Sequence, residues 1–243
     1  MNTRKIGSLN VSVVGLGCNN IGWRLDADAA ASVVGFALNT GINFFDTADI
    51  YGGGQSEEFL GRALGRRRKE VIVATKFGMR MDDQRQGAKP AYVLQAVEDS
   101  LRRLGTDYID LYQLHQPDAS TPIADTLFAL DQLVKSGKVR EIGCSNFSVA
   151  QIREAANAVG DGAARFVSVQ NEYSLLHRDP APAQPATVPR RACGARPTGG
   201  PTPTCGSATA PPGAPQIAGR SCRGATSARA GRGPSRPRSW RRR

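Results

Sequence analysis

The sequence is poor in cysteine and histidine, and this shortage limits the metal and disulfide chemistry that it can support. Its 243 residues include five cysteines and two histidines, and no two cysteines form a C-x-x-C pair. A metal site is therefore not predicted, since only His115 and His177 could join the cysteines as ligands. The odd cysteine count and the lack of a signal-peptide pattern predict that Cys18 and Cys144 are reduced thiols of the core.

Long hydrophobic runs are also missing. No apolar stretch approaches the ~18 residues that would indicate a membrane-spanning helix. Together with an N-terminus that shows no basic and apolar leader, this pattern predicts a cytoplasmic protein with no membrane partner. The length is sufficient for one α/β domain with a sizeable core.

Acidic residues are absent from the last quarter of the chain. Residues 180–243 contain 12 Arg and no Asp, Glu or Lys, whereas residues 1–179 carry a net charge of −1. Ala, Gly, Pro and Arg supply 45 of these 64 residues. Such a composition cannot bury a core against the entropy of ordering, so residues 180–243 are predicted to form a disordered tail. Because all four residue types can be encoded by G and C alone, out-of-frame translation from near Pro180 is a further hypothesis.

Residues 1–179, by contrast, alternate between strand and helix patterns. A hairpin is predicted at residues 4–11, and the second helix is predicted to have Ser56 as its N-cap. Predicted strands lie at residues 13–18, 43–46, 71–76, 109–115, 139–145 and 166–170, with helices at 26–39, 56–64, 90–104, 122–136 and 148–158. Because each helix supplies the crossover that parallel strands need, both a doubly wound sheet and a (β/α)₈ barrel fit the pattern.

Polar residues at the strand ends favour the barrel. Five successive predicted strands end at or just before a polar side chain, namely Asp46, Lys76, His115, Asn146 and Gln170. In a barrel these ends form a ring around one mouth, whereas in an open sheet they spread along an edge. Gly15-x-Gly17 lacks the third glycine and the downstream acid of a dinucleotide fingerprint, so it supports a doubly wound sheet only weakly. The predicted fold is therefore an incomplete (β/α)₈ barrel of about six βα units.

Several motifs in this part of the chain are similar to those of a known family. Residues 46–52 read D-T-A-D-I-Y-G, and they are followed in order by Lys76, by Leu-His at 114–115 and by G-C-S-N-F at 143–147. In this order the motifs resemble the aldo-keto reductases, over roughly residues 4–178. The resemblance implies a barrel that binds NADPH at its mouth and reduces a small aldehyde or ketone to an alcohol.

The residue types suit that reaction. Carbonyl reduction requires a hydride on carbon and a proton on the developing alkoxide, and Tyr51 would donate the proton. Lys76 would lower the pKa of the phenol, Asp46 would keep Lys76 charged, and His115 would orient the carbonyl oxygen. The resemblance further implies that the carboxamide of the nicotinamide is held by Ser145, Asn146 and Gln170.

The resemblance does not extend beyond Asp179. The family's seventh and eighth strands, which contribute to cofactor binding, have no counterpart in residues 180–243, so open edges are predicted on the first and sixth strands. One alternative is therefore an inactive, truncated or frameshifted reductase remnant. Another is binding of nucleic acid or of an acidic surface by the basic tail, although this tail lacks Lys and interleaved aromatic residues.

Overall fold

The computed structural model describes residues 1–178 and the short strand Arg190–Ala192. Its first element is the predicted hairpin, in which β1 (Thr3–Ile6) pairs antiparallel with β2 (Leu9–Ser12). The apolar side chains of the hairpin pack on the first half of the main sheet, in a cluster formed by Ile6, Leu9, Val11, Phe44, Ala74 and Leu111. The hairpin therefore covers the amino-terminal end of the strands and leaves the carboxyl-terminal end to other residues.

The main sheet is parallel, and its strands follow one another in chain order. They are β3 (Leu16–Gly17), β4 (Phe44–Asp46), β5 (Ile72–Phe77), β6 (Ile109–Leu114), β7 (Val139–Ser145), β8 (Phe166–Asn171) and β9 (Arg190–Ala192). Consecutive order means that every crossover moves in the same direction, as in a barrel, whereas a doubly wound sheet reverses its order. The (β/α)₈ class predicted from the strand ends is thus confirmed.

Between β3 and β8, where the structure describes every residue, five α-helices connect the strands and lie where the periodicity predicted them. They are α1 (Ala27–Asn39), α2 (Gln55–Leu64), α3 (Pro90–Leu104), α4 (Ile123–Lys135) and α5 (Val149–Asn157). Asp26 caps α1 by accepting a hydrogen bond from Ala29 N, and Ser148 forms a capping box with Gln151 at the start of α5. Most of the buried apolar residues lie between these helices and the strands.

Two local predictions were wrong. Ser56 is not the N-cap of α2, because the helix already begins at Gln55, after Gly54 with φ 103°. The Ser56 hydroxyl instead donates to the carbonyl oxygen of Cys18 (2.8 Å), inside the barrel wall. The first barrel strand is also shorter than predicted, since Val13 and Val14 are exposed and lie outside it.

The edge predicted on the sixth barrel strand is occupied. β9 pairs in parallel with β8, and Val169 lies opposite Arg190. The prediction of an open edge there was wrong because backbone pairing over three residues leaves no trace in composition. For the rest of residues 180–243, the predicted disorder and the out-of-frame hypothesis fall outside the described residues. Among the described helices, none has the length and apolar character needed to cross a bilayer.

Candidate active site

The carboxyl-terminal ends of three adjacent strands bring three of the predicted catalytic residues together. Asp46 is the last residue of β4, Lys76 is the penultimate residue of β5, and His115 directly follows β6. Backbone pairing continues past β4, where Thr47 N donates to the carbonyl oxygen of Ala74 (2.8 Å). The three side chains are fixed around one mouth of the sheet, and none is more than 7% exposed.

Asp46 and Lys76 form a buried ion pair. Lys76 Nζ lies 2.8 Å from both Oδ1 and Oδ2 of Asp46, and it also donates to the carbonyl oxygen of Thr47 at 3.1 Å. A buried ammonium group is costly unless it is paired and hydrogen-bonded, and these contacts meet both conditions. The pair therefore fixes the position of an ammonium group at the mouth.

Tyr51 reaches the same place from the loop after β4. It opens a short 3₁₀ turn, Tyr51–Gly54, that leads into α2. Gly52 in this turn has φ 59°, and a Cβ there would lie 2.8 Å from the carbonyl oxygen of Gly22, so the turn requires glycine. The Tyr51 ring centroid lies 5.4 Å from Lys76 Nζ and 5.8 Å from the ring centroid of His115, which it meets edge to face.

The pKa of Tyr51 is raised from its ordinary value of 10.0. Burial is the largest cause, and the negative charge of Asp46 adds to it, whereas the charge of Lys76 and a hydrogen bond with Lys76 lower the pKa. Lys76 thus acts in the direction predicted from the sequence, but the desolvation of the phenolate outweighs it. The phenol is consequently in its protonated form at neutral pH.

Hydrogen bonds of its main-chain groups fix the position of His115. Its N–H donates to the carbonyl oxygen of Phe77 (2.9 Å), and its carbonyl oxygen accepts from Asn146 Nδ2 (2.9 Å). His115 is 7% exposed, and its imidazole packs edge to face with the Tyr51 ring. An imidazole and a phenol therefore share one side of the mouth.

The three residues predicted to bind the cofactor lie next to this group. Ser145 Oγ donates to the carbonyl oxygen of Gln170 (2.7 Å), and Asn146 Nδ2 also donates to Ser145 Oγ (3.2 Å). Gln170 Nε2 donates to Asp46 Oδ2 (3.1 Å), which links this trio to the ion pair. All seven predicted site residues are thus connected within one network of contacts.

This amide-rich edge fits a primary carboxamide. Asn146 is exposed and has φ 60°, an αL conformation that turns its side chain out of the strand direction, and Gln170 is half-buried. Both N–H donors of Asn146 are engaged, so its side-chain oxygen is the group that its contacts with the described residues leave over. Gln170 uses one N–H and one lone pair and keeps one of each. A nicotinamide carboxamide needs one donor and one acceptor, and these residues can supply both.

Sequence reasoning missed a buried group of charges formed by Glu57, Arg103 and Asp49. Glu57 is fully buried in the first turn of α2, where its carboxylate accepts from Thr75 Oγ1 and from Arg103 Nε, each at 2.6 Å. Asp49 lies beside it, 1% exposed, and its pKa is raised to about 7, mainly by burial and then by the charge of Glu57, although Arg103 opposes the shift. The D-T-A-D and S-E-E patterns gave no sign that these acids face inward.

Sequence reasoning also missed Gln113. This residue is 3% exposed in β6, and its Nε2 donates to Gln170 Oε1 (3.0 Å). The available signal was a second polar residue, after Asp110, in a strand whose other positions are Ile, Leu and Tyr. Its partner stands 57 residues further along the chain, which no local pattern reveals.

A depression of about 820 Å³ lies at the opposite end of the strands and is separate from the mouth. Its lining is rich in Arg and Lys, and it includes Arg66, Lys69, Arg102, Tyr108 and Lys138. Among the described residues, no group of three or more His, Cys, Asp or Glu could hold a metal ion. The polar groups that the described residues place at the mouth are the phenol, the ion pair, the imidazole and the amides.

Comparison with known proteins identifies the family. The model of the aldo/keto reductase family matches residues 13–185, which is more than half of the chain. An uncharacterized oxidoreductase of Bacillus subtilis, YqkF, is 39% identical over 186 residues, covering 74% of this chain and 58% of the relative. The B. subtilis aldo-keto reductase YhdN is 38% identical over 179 residues, covering 70% and 53%.

The solved structures agree with this assignment. The holo form of the aldo-keto reductase AKR11C1 from Bacillus halodurans superposes with a TM-score of 0.64 at 38% identity, covering 71% of this chain and 58% of that one. The chain therefore belongs to the aldo/keto reductase family. It spans little more than half the length of these relatives.

Proposed function

We propose that this chain is built for the NADPH-dependent reduction of a small aldehyde or ketone to an alcohol. The observation that carries the proposal is the buried Asp46–Lys76 ion pair beneath the Tyr51 ring, with the His115 ring packed edge to face against that ring. When bound, the nicotinamide supplies the hydride to the carbonyl carbon. Family membership and the oxidoreductase name of a relative support the reaction class.

Tyr51 is the proposed proton donor. A phenol is protonated at neutral pH, and burial raises its pKa further above the ordinary value of 10.0, so the acid form is present when the substrate arrives. As negative charge develops on the carbonyl oxygen, the proton passes to that oxygen and leaves a phenolate. The ammonium of Lys76 stabilises this phenolate, because opposite charges attract strongly in a buried site.

Asp46 and His115 have supporting roles in the proposal. The carboxylate of Asp46 holds Lys76 in its charged form and in one place, since it contacts Nζ through both oxygens. His115 is fixed by its backbone beside Tyr51, where its imidazole would set the approach of the carbonyl oxygen. Neither residue needs to change its own protonation state during the transfer.

Ser145, Asn146 and Gln170 would hold the nicotinamide through its carboxamide. Their support is the exposed and half-buried amides at the end of β7 and β8, adjacent to Asp46. The preference for NADPH over NADH, the small carbonyl substrate and the cytoplasmic location are parts of the same proposal.

The test uses the whole purified chain. NADPH is titrated while the fluorescence of tryptophan is followed, and NADPH oxidation is then measured with a panel of small aldehydes and ketones. Tyr51→Phe should lower turnover by roughly 100-fold or more and leave NADPH affinity unchanged, because the hydroxyl acts on the substrate. Tyr108→Phe, at the opposite end of the strands, is the matched control and should leave turnover unchanged.

Each other outcome has a defined meaning. Absence of saturable NADPH binding by the folded chain would overturn the proposal. Binding without turnover of any carbonyl would assign the chain to the inactive-remnant alternative. Full turnover in Tyr51→Phe would remove Tyr51 as the acid.

A further inference from the structure

A chain of hydrogen-bonded side chains runs through the interior of the barrel and ends at the ion pair. Gln113 Nε2 donates to Gln170 Oε1 at 3.0 Å, and Gln170 Nε2 donates to Asp46 Oδ2 at 3.1 Å. Asp46 in turn accepts from Lys76 Nζ. This series of hydrogen bonds thus joins β6, β8, β4 and β5. Its first residue, Gln113, has no role in the proposed mechanism.

We propose that Gln113 is a positioning residue that anchors the amide of Gln170 for contact with the nicotinamide carboxamide. The inference rests on the proposed function. Asp46 is an acceptor and therefore fixes the donor end of the Gln170 amide, while Gln113 donates to the acceptor end. Rotating the amide by half a turn would set its oxygen against the Asp46 carboxylate and its NH₂ against the NH₂ of Gln113.

The anchored amide keeps the groups that a ligand needs. One N–H and one lone pair of Gln170 are used by Asp46 and Gln113, which leaves one N–H and one lone pair. Gln170 is half-buried, whereas Gln113 is 3% exposed, so Gln170 meets the mouth and Gln113 supports it from inside. Two contacts at opposite ends of the amide hold its plane more firmly than Asp46 alone could.

Gly143 makes room for this contact. It lies in β7, between the strands of Gln113 and Gln170, and pairs directly with Gln113. A Cβ on Gly143 would lie 3.3 Å from Gln113 Cγ and would overlap Ser168 Oγ. Glycine inside a strand often marks such a close approach, and here it leaves the passage for the Gln113 side chain open.

The test measures binding rather than activity, with two ligands on each variant. The ligands are NADPH and its 3-acetylpyridine analogue, which keeps the carbonyl oxygen but lacks the amide N–H. Gln113→Leu removes the donor at similar volume, and Gln132→Leu makes the same change at an exposed site on α4 as the matched control. Gln113→Asn, which keeps the amide but is one methylene shorter, replaces Gln113→Leu if that variant fails to fold by circular dichroism.

Gln113→Leu should raise the Kd for NADPH roughly three- to tenfold, which corresponds to one neutral hydrogen bond. The preference of the wild-type chain for NADPH over the analogue should shrink towards unity in this variant, and Gln132→Leu should keep it. Equal weakening of both ligands would mean a merely structural role and would overturn the inference, as would an unchanged preference. Failure of the wild-type chain to bind NADPH would instead overturn the proposed function and this inference with it.

Discussion

The ammonium nitrogen of Lys76 lies 2.8 Å from both carboxylate oxygens of Asp46, and the two residues are 2% and 5% exposed. They stand at the ends of neighbouring strands, 30 residues apart in the chain. Such a pair gains little over a well-packed apolar pair of the same volume, but removing one partner leaves an uncompensated buried charge. Stability alone therefore gives little reason for the pair, whereas the reaction proposed at the mouth needs a charged Lys76 in a fixed place.

The first prediction concerns the stability of this pair. Asp46→Asn and Lys76→Met should each lower the free energy of unfolding by about 3–5 kcal/mol, because each leaves one buried charge alone. The double variant Asp46→Leu/Lys76→Met should cost less than the sum, since no charge remains. Urea denaturation measures all three, and Arg67→Met in the exposed Arg67–Glu70 pair should cost less than about 1 kcal/mol. Additive losses in the double variant would contradict the prediction.

Much of this site followed from the sequence because strand ends have a fixed place in a βα repeat. Once Asp46, Lys76 and His115 were recognised at the ends of consecutive strands, parallel pairing was enough to bring them to one mouth. The strand order followed for the same reason, since each helix crosses in the same direction.

What the sequence could not reveal depends on side-chain direction and on distant partners. Glu57 stands in the first turn of a helix, where an acid normally faces solvent and complements the helix dipole, yet it is buried against Arg103. Ser56 matched an N-cap pattern, but Gly54, with its positive φ, is the N-cap, and the helix begins before Ser56, at Gln55. The contact between Gln113 and Gln170 depends on the strand between them having glycine, Gly143, opposite Gln113. Predicting that contact needs the register of the strands, which a local sequence pattern does not contain.

The second prediction concerns the titration of Tyr51. Lys76→Met should raise the pKa of Tyr51 further, because the charge and the hydrogen bond that lower it are lost while burial remains. Tyrosinate absorbance in the ultraviolet, taken as the difference from Tyr51→Phe, measures this pKa. In the wild-type chain, reduction should slow as pH rises through the pKa of Tyr51, since only the phenol can donate a proton. A pKa that falls in Lys76→Met would show that Lys76 does not act on Tyr51.

The third prediction concerns Asp49 and the pH dependence of stability. The pKa of its carboxyl group is raised from 3.8 to about 7, so the folded state keeps the proton after the unfolded chain has lost it. The contribution of Asp49 to the free energy of unfolding is therefore fully present below pH ~4 and is lost as pH rises through 7. The side chain of the Asp49→Asn variant cannot ionise, so the variant does not undergo this loss. The difference between its free energy of unfolding and that of the wild type should therefore grow in favour of the variant between pH 4 and 8, by at most about 4 kcal/mol.

Asp118 provides the control for this experiment because its pKa moves the other way. Partial burial raises that pKa, but hydrogen bonds from Ser120, Ala88 N–H and Thr121 outweigh it and lower it to about 2. Its contribution to stability is present above pH ~4 and is lost only as pH falls towards 2. The effect of Asp118→Asn should therefore stay constant between pH 5 and 8, whereas that of Asp49→Asn should change. Parallel curves for the two variants would reject the assignment of the buried proton to Asp49.

The fourth prediction concerns the packing of α2 on α3. Gly61 lies in α2, and a Cβ there would overlap the carbonyl oxygen of Leu104, so the two helices approach closely because this position has no side chain. Gly61→Ala should therefore lower the free energy of unfolding by about 1–3 kcal/mol, since backbone atoms must move apart. Gly35→Ala in α1 meets nothing within 4 Å and should instead stabilise the chain by about 0.5–1 kcal/mol through helix propensity. Because the same substitution is made inside a helix at both positions, opposite signs in urea denaturation would isolate helix contact as the cause. Stabilisation at Gly61 would mean that α2 and α3 lie further apart than the structure places them.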